Sequence, residues 1–75
     1  MPYISIKTYP KDDETKQKAA EAVLAVIQKT LGAEPEWVTV SVEDIEPGDW
    51  EEKVVKTEIL PNMDSVLILD GKKRY

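Results

Sequence analysis

The opening of the chain, MPYISIKTYPK at residues 1–11, predicts a β-strand with one buried face, followed by a turn. Ile4 and Ile6 alternate with polar residues, which is the two-residue period of a half-buried strand. Pro10 then ends the pattern, because proline lacks the N–H that a hydrogen-bonded ladder needs. The segment after this turn determines how the strand can pair.

A long helix is predicted next. Asp12 or Asp13 is a suitable N-cap, and the helix should run to Leu31, with Gly32 just past its end. Apolar and small residues occupy two adjacent faces, so we expect this helix to be buried on more than one side. The first face holds Ala20, Val23, Leu24, Ile27 and Leu31, and the second holds Ala19, Ala22, Val26 and Thr30.

A second strand is predicted where Val38, Val40 and Val42 alternate with polar residues, and it can continue to Ile45. A strand, a helix and a strand in this order predict two parallel strands joined by a right-handed crossover. Two strands and one helix cannot bury a parallel sheet by themselves. We therefore predict an α+β, β-α-β subunit that completes its sheet by forming a homo-oligomer, with a dimer preferred.

The C-terminal part predicts a second helix. Pro47-Gly48 indicates a turn, and Asp49 with Glu52 three residues later resembles a capping box that opens a helix at Trp50. Pro61 should interrupt or restart this helix. Because no linker divides the chain, residues 1–75 are expected to form one domain. A short terminal strand is predicted at 72–75, and its basic residues 72–74 are interpreted as a solvated terminus.

Composition excludes several classes of function. The chain has no cysteine and no histidine, so it lacks thiol nucleophiles, disulfides, the usual general base and the commonest zinc ligand. Its net charge of −5 argues against nucleic acid or an anionic membrane as a partner. The acidic residues between 43 and 52 lack the spacing of a calcium loop, so no metal site is predicted. Without a signal peptide or membrane span, the expected location is the cytoplasm.

Pro2 is the candidate general base. A small second residue favours removal of Met1, which would convert the Pro2 nitrogen into a secondary amine held in a rigid ring. An α-amino group has a pKa of about 7.7 to 8, and apolar surroundings lower it. General base catalysis near neutral pH requires a pKa in this range. The alternative is that Met-Pro is merely a common start and that Pro2 only stiffens a strand edge.

The motifs MPYISIKTYPK, QKAA, IEPGDW and EILPNMDSVL occur in an order that resembles the tautomerase superfamily of 4-oxalocrotonate tautomerase, and most closely its PptA branch. The resemblance implies a β-α-β subunit that pairs with a second subunit, typically as a dimer, into a four-stranded sheet. It also implies that Pro2 shuttles a proton between the oxygen of an enol or dienol and a carbon of the 2-keto acid. No cofactor is implied.

The same resemblance assigns three substrate-binding residues. Lys11 stands at or within one position of an arginine that grips the substrate carboxylate, and Thr39 stands where a second arginine often lies. Trp50 matches an aromatic residue that lines the apolar pocket. The alternatives are that Lys11 is a solvated turn residue, that Trp50 is ordinary core or interface, and that Thr39 only faces outward from a strand.

Two functions from different classes remain open at this point. The first is a cofactor-independent keto–enol tautomerase, an isomerase, that acts on a small 2-keto acid or its enol, of the arylpyruvate or 2-hydroxydienoate type. The second is a non-catalytic oligomeric β-α-β interaction module in which Pro2 only begins a strand. The tautomerase requires removal of Met1, whereas the interaction module does not.

Overall fold

The computed structural model describes all residues from 1 to 75. The chain separates into two compact units, Met1–Ile45 and Glu46–Tyr75, which are described one at a time. None of its helices combines the length and apolar character that crossing a bilayer requires. The expectation that residues 1–75 form one domain stays a prediction.

The first unit is the predicted β-α-β motif. Strand β1 spans Tyr3–Thr8, helix α1 spans Asp13–Leu31, and strand β2 spans Thr39–Asp44 after a short 3₁₀ turn at Pro35–Trp37. The strands pair in parallel, with Tyr3 opposite Thr39 at one end and Thr8 opposite Asp44 at the other. The α+β fold and the parallel crossover are therefore confirmed.

Both ends of helix α1 are set by capping residues. The Asp12 carboxylate accepts a hydrogen bond from the Thr15 N–H at 2.8 Å, so Asp12 and not Asp13 is the N-cap. At the other end, Gly32 has a φ of 65°, the left-handed conformation that glycine adopts without a Cβ penalty. Both ends agree with the prediction from the sequence.

The helix packs against β2, but a single chain covers its apolar surface poorly. Ile45 is the one buried apolar residue of the first unit, at 4% exposure. By contrast, Val26 and Leu31 are 55% and 65% exposed. The unit therefore leaves apolar helix surface in water, at a size where one core gives little net stability.

The second unit is helical, with a small hairpin at its end. A 3₁₀ turn at Pro47–Asp49 leads into a π-helix at Glu51–Ile59, and a 3₁₀ helix follows at Leu60–Ser65. Val54 is its buried apolar residue. The second C-terminal helix of the predicted fold is thus confirmed, and it is interrupted near Pro61 as expected.

The predicted capping box is wrong. Neither the 3₁₀ turn nor the π-helix has a side-chain cap. The Asp49 and Glu52 carboxylates instead bind Lys53 and Lys56, four residues further along, at 3.4 and 2.7 Å. The reason is that the helical turn already begins at Pro47, so Asp49 lies inside it, and the extended residue before the turn is Glu46.

The last residues form a two-stranded hairpin, whose second strand lies within the short strand predicted at 72–75. Strands β3 (Ile68–Leu69) and β4 (Lys72–Lys73) are antiparallel and joined by Asp70-Gly71, whose φ values of 50° and 80° fit a type I′ turn. The Arg74 guanidinium donates hydrogen bonds to the carbonyls of Met63 and Val66. Residues 72–74 are all exposed, as predicted, although main-chain acceptors anchor Arg74.

Candidate active site

Pro2 lies at the entrance to the parallel sheet. Its carbonyl accepts a hydrogen bond from the Thr39 N–H at 3.1 Å, directly before the first paired residues of the ladder. Pro2 is half-buried, whereas Met1 is 94% exposed. Removal of Met1 would therefore uncover the ring nitrogen without disturbing packing inside the chain.

Thr39 lies next to Pro2 because their main chains are hydrogen-bonded. Its side chain is exposed and lies on the sheet face that also carries Tyr3, Ser5 and Ser41. This face is opposite to the one that carries Ile4 and the other half-buried apolar residues of the strands, because alternate residues point to opposite sides. The observed position agrees with the outward-facing interpretation, and a role for Thr39 in substrate binding stays a prediction.

A pair of hydroxyl groups accompanies Thr39 on this open face. The Tyr3 hydroxyl lies 3.2 Å from the Ser41 Oγ. This hydrogen bond, with a second contribution from Ser5, lowers the pKa of the Tyr3 phenol from its ordinary value. Sequence reasoning did not pair these residues, although the register that a parallel ladder imposes places position 3 within reach of position 41.

Lys11 lies at the opposite end of the sheet from Pro2. The six residues of β1 separate the two ends by about 20 Å, at roughly 3.3 Å per residue. The Lys11 N–H donates to the Asp44 Oδ1 at 3.3 Å, which ties the turn to the last residue of β2. Within one chain, therefore, the structure does not bring Lys11 to Pro2.

Asp44 also belongs to a charged cluster that the sequence reasoning missed. The Lys16 Nζ lies 3.2 Å from the Asp44 Oδ2 and 3.6 Å from the Asp13 Oδ1, with its side chain only 23% exposed. The hydrogen bond to Asp44 is the main cause that raises the pKa of Lys16. The same bond, followed by the Lys11 N–H, lowers the pKa of Asp44. The available signal was the three-residue spacing of Asp13 and Lys16 on a helix.

Trp50 belongs to the second unit. It is half-buried and directly precedes the π-helix, in a helical conformation. A residue that is only half-buried agrees equally with pocket lining and with an ordinary packing role. The expectation that Trp50 lines the substrate pocket stays a prediction.

Comparison with curated proteins gives the family. Tautomerase PptA of Cronobacter sakazakii is 34% identical to this chain over 68 residues, which cover 88% of the chain and 90% of that protein. The chain belongs to the tautomerase superfamily, in its PptA branch. Tautomerase PptA of Enterobacter sp. and of Escherichia coli are each 32% identical over 73 residues, covering 95% of this chain and 96% of those proteins. No family model matches the chain.

The family resemblance drawn from the motifs is thus confirmed. In this member of the tautomerase superfamily, the β-α-β unit carries Pro2 and Thr39 at one end of the sheet and Lys11 at the other. A site that contains all three residues cannot be assembled from one copy of this unit.

Proposed function

We propose that this chain is a cofactor-independent keto–enol tautomerase of small 2-keto acids, of the arylpyruvate or 2-hydroxydienoate type, with Pro2 as general acid and base after loss of Met1. The observation that carries the proposal is the position of Pro2. Its carbonyl is anchored by the Thr39 N–H, and Met1, whose removal would free the Pro2 nitrogen, is exposed. The chain has no histidine or cysteine to serve instead.

The proton transfer uses a single base that returns the proton it takes. The neutral Pro2 amine removes the hydroxyl proton of the enol, the C–O bond becomes a carbonyl, and the C=C electron pair accepts a proton from the prolinium at the adjacent carbon. Atoms and charge balance without a cofactor. The ring and the hydrogen bond from Thr39 hold the nitrogen in place, so little conformational freedom is lost when substrate binds.

A second copy of the chain must supply Lys11 to the site. A separation of about 20 Å along β1 is far longer than a lysine side chain. In a homodimer, Lys11 of one subunit can approach Pro2 of the other. The unpaired edges of the two-stranded sheet and the exposed Val26 and Leu31 support this association, because both are surfaces that a second copy would cover.

The binding residues favour a monocarboxylate substrate. Lys11 supplies one point charge, without the bidentate fork of arginine, and Thr39 supplies no charge. One ammonium group matches one carboxylate. Trp50 is proposed to contribute the apolar surface against which an aryl or dienyl group packs.

The test compares two synthetic forms of the chain, one beginning at Pro2 and one retaining Met1. Ketonisation of an arylenolpyruvate should fall on the order of 10²- to 10⁴-fold when Met1 is retained, which is the contribution of a general base. The Pro2 form should show a basic limb near neutrality in its pH–rate profile. Pro2→Ala is the matched control, since its primary amine should retain some activity with a changed pH dependence.

Intact mass confirms the form used, and circular dichroism checks that both forms share one fold. Equal rates in the two forms would exclude Pro2 as the base. That outcome would favour the non-catalytic oligomeric β-α-β module.

A further inference from the structure

We infer that Asp44 is a positioning residue, which holds the turn that carries Lys11 so that the Lys11 ammonium can bind the substrate carboxylate. This inference rests on the proposed function. Asp44 is the last residue of β2, and its two carboxylate oxygens have different partners. Oδ1 accepts the Lys11 N–H at 3.3 Å, and Oδ2 accepts from the Lys16 Nζ at 3.2 Å.

Asp44 attaches the turn at Lys11, between two other attachments. Before it, the Thr8 carbonyl accepts the N–H of the buried Ile45 at 2.8 Å, which joins the ends of the two strands. After it, Asp12 caps helix α1. Because the Lys11 N–H donates to Asp44, removing that carboxylate takes away an attachment of the turn at Lys11 itself.

Lys16 balances the negative charge of Asp44, and this affects the Lys11 side chain. An exposed lysine beside an aspartate in a chain of net charge −5 would ordinarily be attracted to that carboxylate. Here the Asp44 charge is already balanced by the Lys16 ammonium, and the Lys11 side chain is exposed and takes no part in the ion pairs of this cluster. Asp44 thus fixes the Lys11 main chain while leaving the Lys11 ammonium available to a ligand.

The consequence should appear in binding rather than in the proton transfer. A loosely held turn must be ordered when the carboxylate binds, and the entropy of ordering subtracts from affinity. The hydrogen bond that anchors Pro2, from the Thr39 N–H to the Pro2 carbonyl, does not involve Asp44, so removing Asp44 leaves that anchor of the base in place. We therefore expect KM to rise with little change in kcat.

The experiment is a double-mutant cycle on the chain that begins at Pro2, with benzoylformate as the probe. Benzoylformate is a 2-keto acid that cannot enolise, so its Kd, followed by NMR titration, is independent of turnover. Lys11→Ala should weaken binding about tenfold and Asp44→Ala about fivefold, whereas the double variant should be no weaker than Lys11→Ala alone. Asp44→Asn, which keeps the acceptor for the Lys11 N–H, should stay within about twofold of wild type.

The controls separate positioning from a loss of structure. Glu14→Ala removes another exposed ion pair of helix α1 and should leave the Kd unchanged. If Asp44→Ala does not fold, Asp44→Thr replaces it, because threonine suits a strand end but cannot reach the Lys11 N–H.

Three results would overturn the inference: no binding of benzoylformate by wild type, an unchanged Kd in Asp44→Ala, or additive losses of about fiftyfold in the double variant. Enol ketonisation, measured separately, tests the proposed function. A protein that gives the expected Kd pattern but no ketonisation would contradict the tautomerase proposal and leave the positioning role of Asp44 supported.

Discussion

Mixing two defective chains should restore activity if the catalytic base and the carboxylate grip come from different subunits. The first chain retains Met1, so its Pro2 nitrogen is blocked, but its Lys11 is intact. The second begins at Pro2 and carries Lys11→Ala. Because about 20 Å of strand β1 separates the two positions, one chain cannot provide both functions to the same site.

The size of the effect follows from random assembly. In an equimolar mixture, about one quarter of all sites combine a free Pro2 with an intact Lys11 from a neighbour, and another quarter combine a free Pro2 with Ala at position 11. With a tenfold loss at the second kind of site, kcat/KM should reach roughly 28% of the value for the chain beginning at Pro2. If each site used its own Lys11, the mixture would give only about 5%.

The assay is ketonisation of an arylenolpyruvate at substrate concentrations well below KM, after joint denaturation and refolding of the two chains. The control contains the same chains refolded separately and combined immediately before the measurement, so that subunits have not exchanged. Activity that stays near 5% after co-refolding, with exchange verified by mass-labelled subunits, would refute the shared site and with it the assignment of Lys11.

Two further predictions concern stability. The pKa of Asp44 is lower in the folded chain than in the unfolded chain, so the ionised carboxylate stabilises the fold. This stabilisation is fully present above the unfolded pKa of about 3.9 and is lost as the pH falls through the lower folded pKa. The pKa of Lys16 is higher in the folded chain, so its protonated ammonium stabilises the fold. This stabilisation is complete below the unfolded pKa of about 10.4 and is lost as the pH rises through the higher folded pKa. Urea midpoints of wild type and Asp44→Asn should thus differ most between about pH 4 and pH 10 and converge in acid; a constant difference down to pH 2 would contradict this. Separately, Gly71→Ala forces a Cβ into a φ of 80° and should lower the free energy of unfolding by about 1 to 2 kcal/mol, although nothing lies within 4 Å of the new atom. Gly48→Ala, at a position with equal space and no positive φ, is the matched control, and equal urea midpoints for both variants would show that backbone strain is not the cause.

The elements that the sequence predicted well are those with local causes. The alternation of Ile4 and Ile6 predicted β1, and the aspartate cap and Gly32 predicted the ends of α1, because each depends on residues within a few positions. The capping box at Asp49 failed for the same kind of reason. The motif was correct in spacing, but the helical turn begins at Pro47, so Asp49 lies inside it and cannot act as an extended cap.

The site was predictable in its residue types and less so in its arrangement. The absence of histidine and cysteine, together with a proline at position 2, made Pro2 a candidate base, and the resemblance to the tautomerase superfamily then selected it. The sequence did not give the distances between Pro2, Thr39 and Lys11. The two strands are separated by 30 residues in the chain, and their parallel register places Thr39 beside Pro2. Lys11 follows the other end of β1, so it lies at the opposite end of the sheet. The Lys11–Asp44–Lys16 contacts likewise join residues separated by about that length of chain, and only folding brings such positions within hydrogen-bond reach.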